Sequence, residues 1–288
     1  MATTLSVATG TAAQDDAARG TTEPATIVVT TEVLGSIVAD LVGDDADVIV
    51  LMDGGADPHS WQPSARDAQS IFDADLVVAN GLGLEEGLSN VLEEAQAEDV
   101  PVFTATDHIA DLVPSGERPP DPHFWLDPVA MQAVAASLAA ALTDVGVEAT
   151  EGATEVIDAL DALDAETAAS VAALPAERRR LVTGHDALGY YAHRYGFEII
   201  GTVLPGVSTS GEASARDLAE LIEAIKAAGS TVVFTDVGTP QSVAAAVASD
   251  GGASIVELEV GAIPEGGDYG DLIRSLTAAI VAGLSATP

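Results

Sequence analysis

Cysteine is absent from the 288 residues, which removes disulfides, thiolate zinc sites, cysteine nucleophiles and a lipid-modified N-terminal cysteine within this chain. That leaves the redox compartment open. Positive charge is scarce as well: Lys226 is the single lysine, and ten Lys and Arg stand against 46 Asp and Glu, for a formal net charge of -36. Such a surface repels a phosphate backbone and excludes nucleic acid as a partner. It reads as a solvated face suited to high salt. Surface acidity does not by itself make a metal site, because exposed charge is screened within about 10 Å and carboxylates alone discriminate poorly among metals. No run approaches the roughly 18 apolar residues of a membrane helix, so the chain is expected to be soluble, or tethered by a segment outside it. Met1–Ala13 is small and apolar but has no Lys or Arg in front, which makes it at best the remnant of a secretion signal. Asp15–Pro24 reads as a linker, and residues 1–25 together as a disordered or signal-remnant N-terminus.

What is present is enough apolar material, 48% of the chain, for two α/β lobes of ordinary size. From Thr26 onward, short β-branched runs alternate with Ala- and Leu-rich helical stretches, the pattern of a parallel sheet covered by helices. In the first lobe, strands are expected at Thr26–Thr31, Asp47–Leu51, Leu76–Ala79 and Val102–Ala105. Helices are expected near Leu34–Leu41, Ser64–Phe72, Leu84–Ala95 and Pro128–Thr143. Between Gly152 and Pro175 there is neither Gly nor Pro, and Val156, Leu160, Leu163 and Val171 keep helical spacing, so Thr150–Leu174 reads as one long helix. A second series follows, with strands at Arg180–Thr183, Glu198–Val203, Thr231–Thr235 and Ser254–Leu258. Its helices fall near Ala187–Tyr195, Ala213–Ala228, Pro240–Asp250 and Tyr269–Leu284. The expected fold class is therefore α/β: an N-terminal lobe over 26–148, a linking helix over 149–178 and a C-terminal lobe over 179–288, each lobe built on a parallel sheet flanked by helices.

Of five histidines, three stand in loops after the carboxyl end of an expected strand, the side on which open α/β sheets bind ligands. His59 lies in the Gly- and Pro-rich loop Asp53–Pro63, His123 in Asp121–Pro128, and His185 in Thr183–Gly189 directly before a helix. Imidazole is the neutral donor zinc favours, and three of them converge on one ion only if the fold brings the loops together. Asp-Pro-His occurs twice, at Asp57–His59 and Asp121–His123. Proline fixes φ before the histidine, and the aspartate is placed to accept a hydrogen bond from the loop or from a ring nitrogen. His108 and His193 have no such context and read as structural. Trp61 and Trp125 each follow a candidate ligand by two residues, where a ring either shields the site from water or packs the lobe interface. Asn80-Gly81 reads as a turn and nothing more. Gly81 and Gly83 complete no dinucleotide fingerprint, and there is no phosphate loop, Gly-x-Ser-x-Gly elbow or His-Glu-x-x-His helix.

At these residues the chain resembles the zinc/manganese class of periplasmic solute-binding proteins of ABC importers, in which a long helix links two lobes. The likeness spans about Thr26 to Leu284. It rests on Ala56–Ser64, Phe72–Gly81, Asp121–Pro128, Gly184–Tyr191 and Arg194–Gly196. It implies that His59 and His123 are metal ligands and that His185 fills a third position, where manganese-binding members tend to carry Glu. Zinc is thus the implied ion, with a manganese- or iron-binding member as the alternative. The implied partner is a membrane permease and the implied place extracytoplasmic; a monomer is expected. In similar proteins a fourth ligand is often an Asp after the last strand, a position at which this chain carries Gly261; Glu259, Glu257, Asp268 or a water remain to complete the tetrahedron, with Glu259 or water preferred. The loop Ile109–Pro120 is short and holds no His, unlike the long His-rich loop of many relatives. A three-histidine zinc hydrolase, with Asp186 or Glu259 as base, is the reading from another class. The long helix is expected to limit any metal-driven closure to small lobe shifts.

Overall fold

The computed structural model describes residues 24–52, 54–113 and 120–286. The readings of residues 1–23 as signal remnant and linker lie outside the described residues, as does residues 114–119 of the loop after His108.

The first lobe opens with strand β1, Ala25–Val29, helix α1, Glu32–Val42, and strand β2, Ala46–Val50. Helix α2, Ala65–Phe72, strand β3, Leu76–Ala79, helix α3, Ser89–Ala97, and strand β4, Val102–Thr104, follow. The four strands form one parallel sheet in the order β2-β1-β3-β4. Alternation along β1 explains its two covered faces. Ile27 and Val29 point into the main core with α1, whereas Val28 joins Met52, Ile71 and Leu88 on the opposite face. Capping chemistry starts α2, where Ser64 accepts from the amide of Asp67 and Asp67 returns the bond.

Helix α4, Pro128–Asp144, leads to helix α5, Thr150–Ala172, the long element anticipated from its Gly- and Pro-free run. Val156, Leu160, Leu163 and Val171 are buried along α5 and belong to one core with Val134 and Leu138 of α4 and with Leu276 and Ile280 of the C-terminal helix. The apolar core is thus continuous through both halves, so wide hinge bending would break packing along the whole length of α5.

The second half contains β5, Arg180–Thr183, α6, Gly189–Tyr195, β6, Glu198–Thr202, and α7, Ala215–Ala228. Then come β7, Val232–Thr235, α8, Gln241–Gly251, β8, Ser254–Glu257, and α9, Tyr269–Ser285. Its strands form two parallel pairs, β5-β6 and β7-β8, rather than a single four-stranded ladder, with an irregular register at Leu181/Val182. β5 runs beside β7. Three of the ten basic residues are consecutive and each closes a different helix end. Arg178 donates to the carbonyls of Leu284 and Ser285, Arg179 to that of Leu174, and Arg180 to that of Ala228.

Candidate metal centre

Each histidine arrives on a loop that begins where a strand ends. The chain leaving β2 turns through Asp57 and Pro58 to His59; the chain after β4 reaches His123 just before a short 3₁₀ turn, Phe124–Leu126; the chain leaving β5 reaches His185 before α6. The three rings are buried, at 4%, 2% and 2% exposure. The Nε2 atoms of His59 and His185 each lie 3.3 Å from Nε2 of His123. Among the described residues these three form the group of His, Asp and Glu whose donor atoms all lie within 4.8 Å of one another. Nitrogens about 2 Å from a common zinc lie on the order of 3.3 Å apart in a tetrahedral arrangement, so the observed spacing is that of a ready tripod.

Both Asp-Pro-His loops use their aspartate as the sequence anticipates, but differently. Asp57 accepts from the backbone amide of His59 at 3.1 Å. Asp121 accepts from the His123 amide at 2.9 Å, and the same oxygen lies 2.7 Å from the ring Nδ1. Its other oxygen reaches toward Gly189, where an added Cβ would stand 2.3 Å from it. Glycine at 189 is therefore what lets α6 approach the aspartate that orients His123. For His185 the carboxylate comes from far along the chain. Asp236, after β7, lies 3.0 Å from Nδ1 of His185, at ion-pair distance. Asp236 is itself held by Thr239, whose hydroxyl donates at 2.6 Å.

Electrostatics separate the three rings. Burial, aided by the neighbouring His123 and His185, pushes His59 down to about 4, and burial pushes His123 well below the ordinary imidazole value. His185 moves the other way: burial opposes its charge, but the Asp236 carboxylate, with Asp57 and Asp121, more than offsets this and raises it. Burial likewise raises Asp121 to about 7. At neutral pH the arrangement offers two bare imidazole nitrogens and a third that holds its proton longer.

Behind His123 lies a network the sequence reading missed. Glu85 is buried and accepts from the Thr30 hydroxyl at 2.7 Å, the Asn80 amide at 2.6 Å and the Gly81 amide at 3.3 Å. The Asn80 side chain then donates to the carbonyl of Pro122 at 3.0 Å. Asn80-Gly81 is therefore more than a turn: it hangs the His123 loop from the ends of β1 and β3. Burial raises Glu85 despite these bonds. The inward turn of Glu85 also interrupts the helix expected over Leu84–Ala95, which becomes a 3₁₀ turn, Glu86–Leu88, followed by α3.

The tryptophans divide. Trp125 is buried, its ring edge-on to His123, and its Nε1–H donates to the carbonyl of Val260 at 2.6 Å. It both walls the site and fastens the loop after β8. Trp61 packs on the far face of the sheet with Met52 and Ile71 and does not line the site cavity. His108 stacks on Phe103, and His193 is exposed on α6. Glu259 is exposed and lines the cavity mouth, outside the 4.8 Å group; Gly261 lines the same cavity, and an added Cβ there meets nothing within 4 Å. The same loop is tied to the first half by its Ile263 amide, which donates to Glu32 at 2.9 Å. The cavity has a volume of about 50 Å³, room for roughly three to five water-sized occupants, an ion among them.

The chain matches the family of the periplasmic zinc-uptake complex component A, ZnuA, over residues 27–283. It is 33% identical over 219 residues to the zinc-binding protein TroA of Treponema pallidum, covering 74% of this chain and 70% of TroA. It is 29% identical over 229 residues to the manganese-binding lipoprotein MntA of Bacillus subtilis, covering 77% and 74% respectively. The solved periplasmic zinc-binding TroA structure superposes with a TM-score of 0.82 at 30% identity, covering 91% of this chain and all of that one. Iron(III)-bound YtgA from Chlamydia trachomatis shares the fold, with a TM-score of 0.80 at 24% identity over 91% of this chain and 99% of its own. The strand-end loops, the buried histidine tripod and these likenesses agree: the chain belongs to the ZnuA family of periplasmic metal-uptake components.

Proposed function

We propose that this protein is the extracytoplasmic binding component of an ABC importer for a divalent transition metal, with zinc as the preferred cargo. The single observation that carries the reading is the convergence of three buried imidazoles, with Nε2 of His59 and of His185 each 3.3 Å from Nε2 of His123 and all three donor atoms within 4.8 Å of one another. In this reading His59, His123 and His185 supply three neutral donors, a set suited to zinc; manganese and iron favour more oxygen ligands. Relatives carry zinc-binding and manganese-binding names, and the absence of a carboxylate from the close group is what favours zinc here. A water completes the tetrahedron, with Glu259 at the mouth as the weaker candidate. A small cavity, between halves that share one core, releases the ion to a membrane permease through modest loop movement rather than wide closure.

We further propose the division into lobes at 26–148 and 179–288 around a linking helix at 149–178, and a monomer that acts in solution or tethered by a segment outside the chain. A cavity of about 50 Å³ leaves no space for a peptide or phosphoester beside the ion, which argues against the hydrolase reading. Calorimetric titration of metal-free protein with zinc and with manganese, alongside His185→Ala, tests the proposal. Zinc should bind more tightly than manganese and lose at least about tenfold in the variant; undiminished zinc affinity after that substitution would sink the three-histidine site.

A further inference from the structure

His59 differs from its two partners. Among the described residues no carboxylate pairs with its ring, whereas Asp121 lies 2.7 Å from Nδ1 of His123 and Asp236 3.0 Å from Nδ1 of His185. Its position depends on the backbone bond to Asp57. The same carboxylate does a second job: its Oδ2 accepts the hydroxyl of Thr209 at 2.6 Å, across 152 residues of sequence and from the opposite half. Ser60 also donates to that oxygen, at 3.2 Å. One residue before Thr209, the Ser208 hydroxyl donates to Glu86 at 2.8 Å, a second tie between the halves. A third loop closes on the pair at Gly238, where an added Cβ would stand 2.6 Å from Thr209 and 2.9 Å from Asp57 Oδ2.

We propose that Thr209 is a cross-crevice positioning residue, a latch on the His59 loop that sets how long the captured ion is held. This rests on the reading of the three histidines as the ion's site. The Trp125–Val260 and Ile263–Glu32 ties each use a backbone group, and the Ser208–Glu86 tie, though it joins two side chains, involves no residue of the Asp57–His59 turn. The Thr209–Asp57 bond joins two side chains, and both residues are only half-buried, so it breaks and reforms with water as the competitor and without disturbing the main chain. Once it breaks, Asp57 loses its anchor in the second half and the His59 loop moves with the first half alone. Entry is indifferent to this, because an ion is captured while the latch is open. Escape is not, because release of His59 is the step that the latch opposes.

Zinc dissociation into excess chelator, followed by stopped flow, separates these rates. Thr209→Val keeps the shape and removes the donor; it should release zinc about tenfold faster, the effect of one hydrogen bond to a charged group, with association changed by less than about twofold. Thr209→Ser keeps the donor and should restore slow release. Unchanged dissociation in Thr209→Val, a change confined to association, or failure of Thr209→Ser to rescue would each overturn the latch. Amide hydrogen exchange on the metal-free protein reads the same tie without any ion. Thr209→Val should speed exchange at the His59 amide, and unaltered exchange there overturns the latch even if His185→Ala has already removed the three-histidine site from consideration.

Discussion

Replacing Asp236 by Asn tests how the second half tunes its histidine. The side chain keeps its size, and its remaining carbonyl can still accept from Thr239, which now donates at 2.6 Å, so the fold should be undisturbed. What disappears is the negative charge 3.0 Å from Nδ1 of His185. Two opposite effects follow. The ring becomes a poorer donor to a cation, and loss of such a supporting carboxylate costs metal sites about 10- to 100-fold in affinity, roughly 1.4–2.7 kcal/mol. The ring also loses the group that, against burial, raises its proton affinity, so a proton competes less well for the same nitrogen. Toward pH 8 a proton competes less for the raised His185 than it does near pH 6, so the first effect weighs more there and the loss should be larger. Near pH 6 the wild-type ion must displace a proton that the variant no longer holds, so the gap should narrow. Competition calorimetry against a chelator at both pH values measures the two gaps. A loss as large near pH 6 as near pH 8, or no loss near pH 8, would refute the assignment of Asp236 as the residue that sets His185.

Gly261→Asp places a carboxylate on the cavity wall, where an added Cβ meets nothing within 4 Å. Zinc affinity in the same titration should rise by about tenfold or more as water gives way to a charged donor, and an unchanged constant would mean that position 261 does not face the ion. The metal-free protein should lose stability as pH falls from about 6.5 toward about 4. His59 is held down near 4 by burial, so the folded state refuses a proton that the unfolded chain accepts, and the stability present above 6.5 drains through that window by up to about 3 kcal/mol. His59→Gln should flatten the dependence in denaturant unfolding at several pH values; an equally steep dependence would place its origin elsewhere.

The elements were legible because their signals are local. Strands β3 and β5 have the bounds expected around their Val-containing runs, and α5 covers most of the Gly- and Pro-free run between Gly152 and Pro175. The expected α2 and α4 differ from the observed helices by one residue at one end, because Ser64 and Asp127 cap them and Pro128 opens the second. The helix expected from Leu84 failed for a tertiary reason: Glu85 turns inward to three donors supplied by β1 and the end of β3, which no helical periodicity records. Trp61 and Trp125 occupy equivalent places in sequence, two after a histidine, and the structure sends one to the far face of the sheet and the other to the site wall.

The tripod shows the same division. Sequence alone determined which side chains are candidates, since with no cysteine and five histidines the chemistry of a transition-metal site reduces to few atoms, and the repeated Asp-Pro-His marked two of them. It also determined that Asp57 and Asp121 would serve neighbouring groups, because that relation spans two residues. Only the tertiary structure decided that the third carboxylate would be Asp236, 51 positions beyond His185 in the numbering, that Asn80 and Glu85 would carry the His123 loop, and that Thr209 would reach Asp57. Those partners are joined across strand ends and between halves, and a hydrogen bond between residues far apart in the chain leaves no periodicity to read.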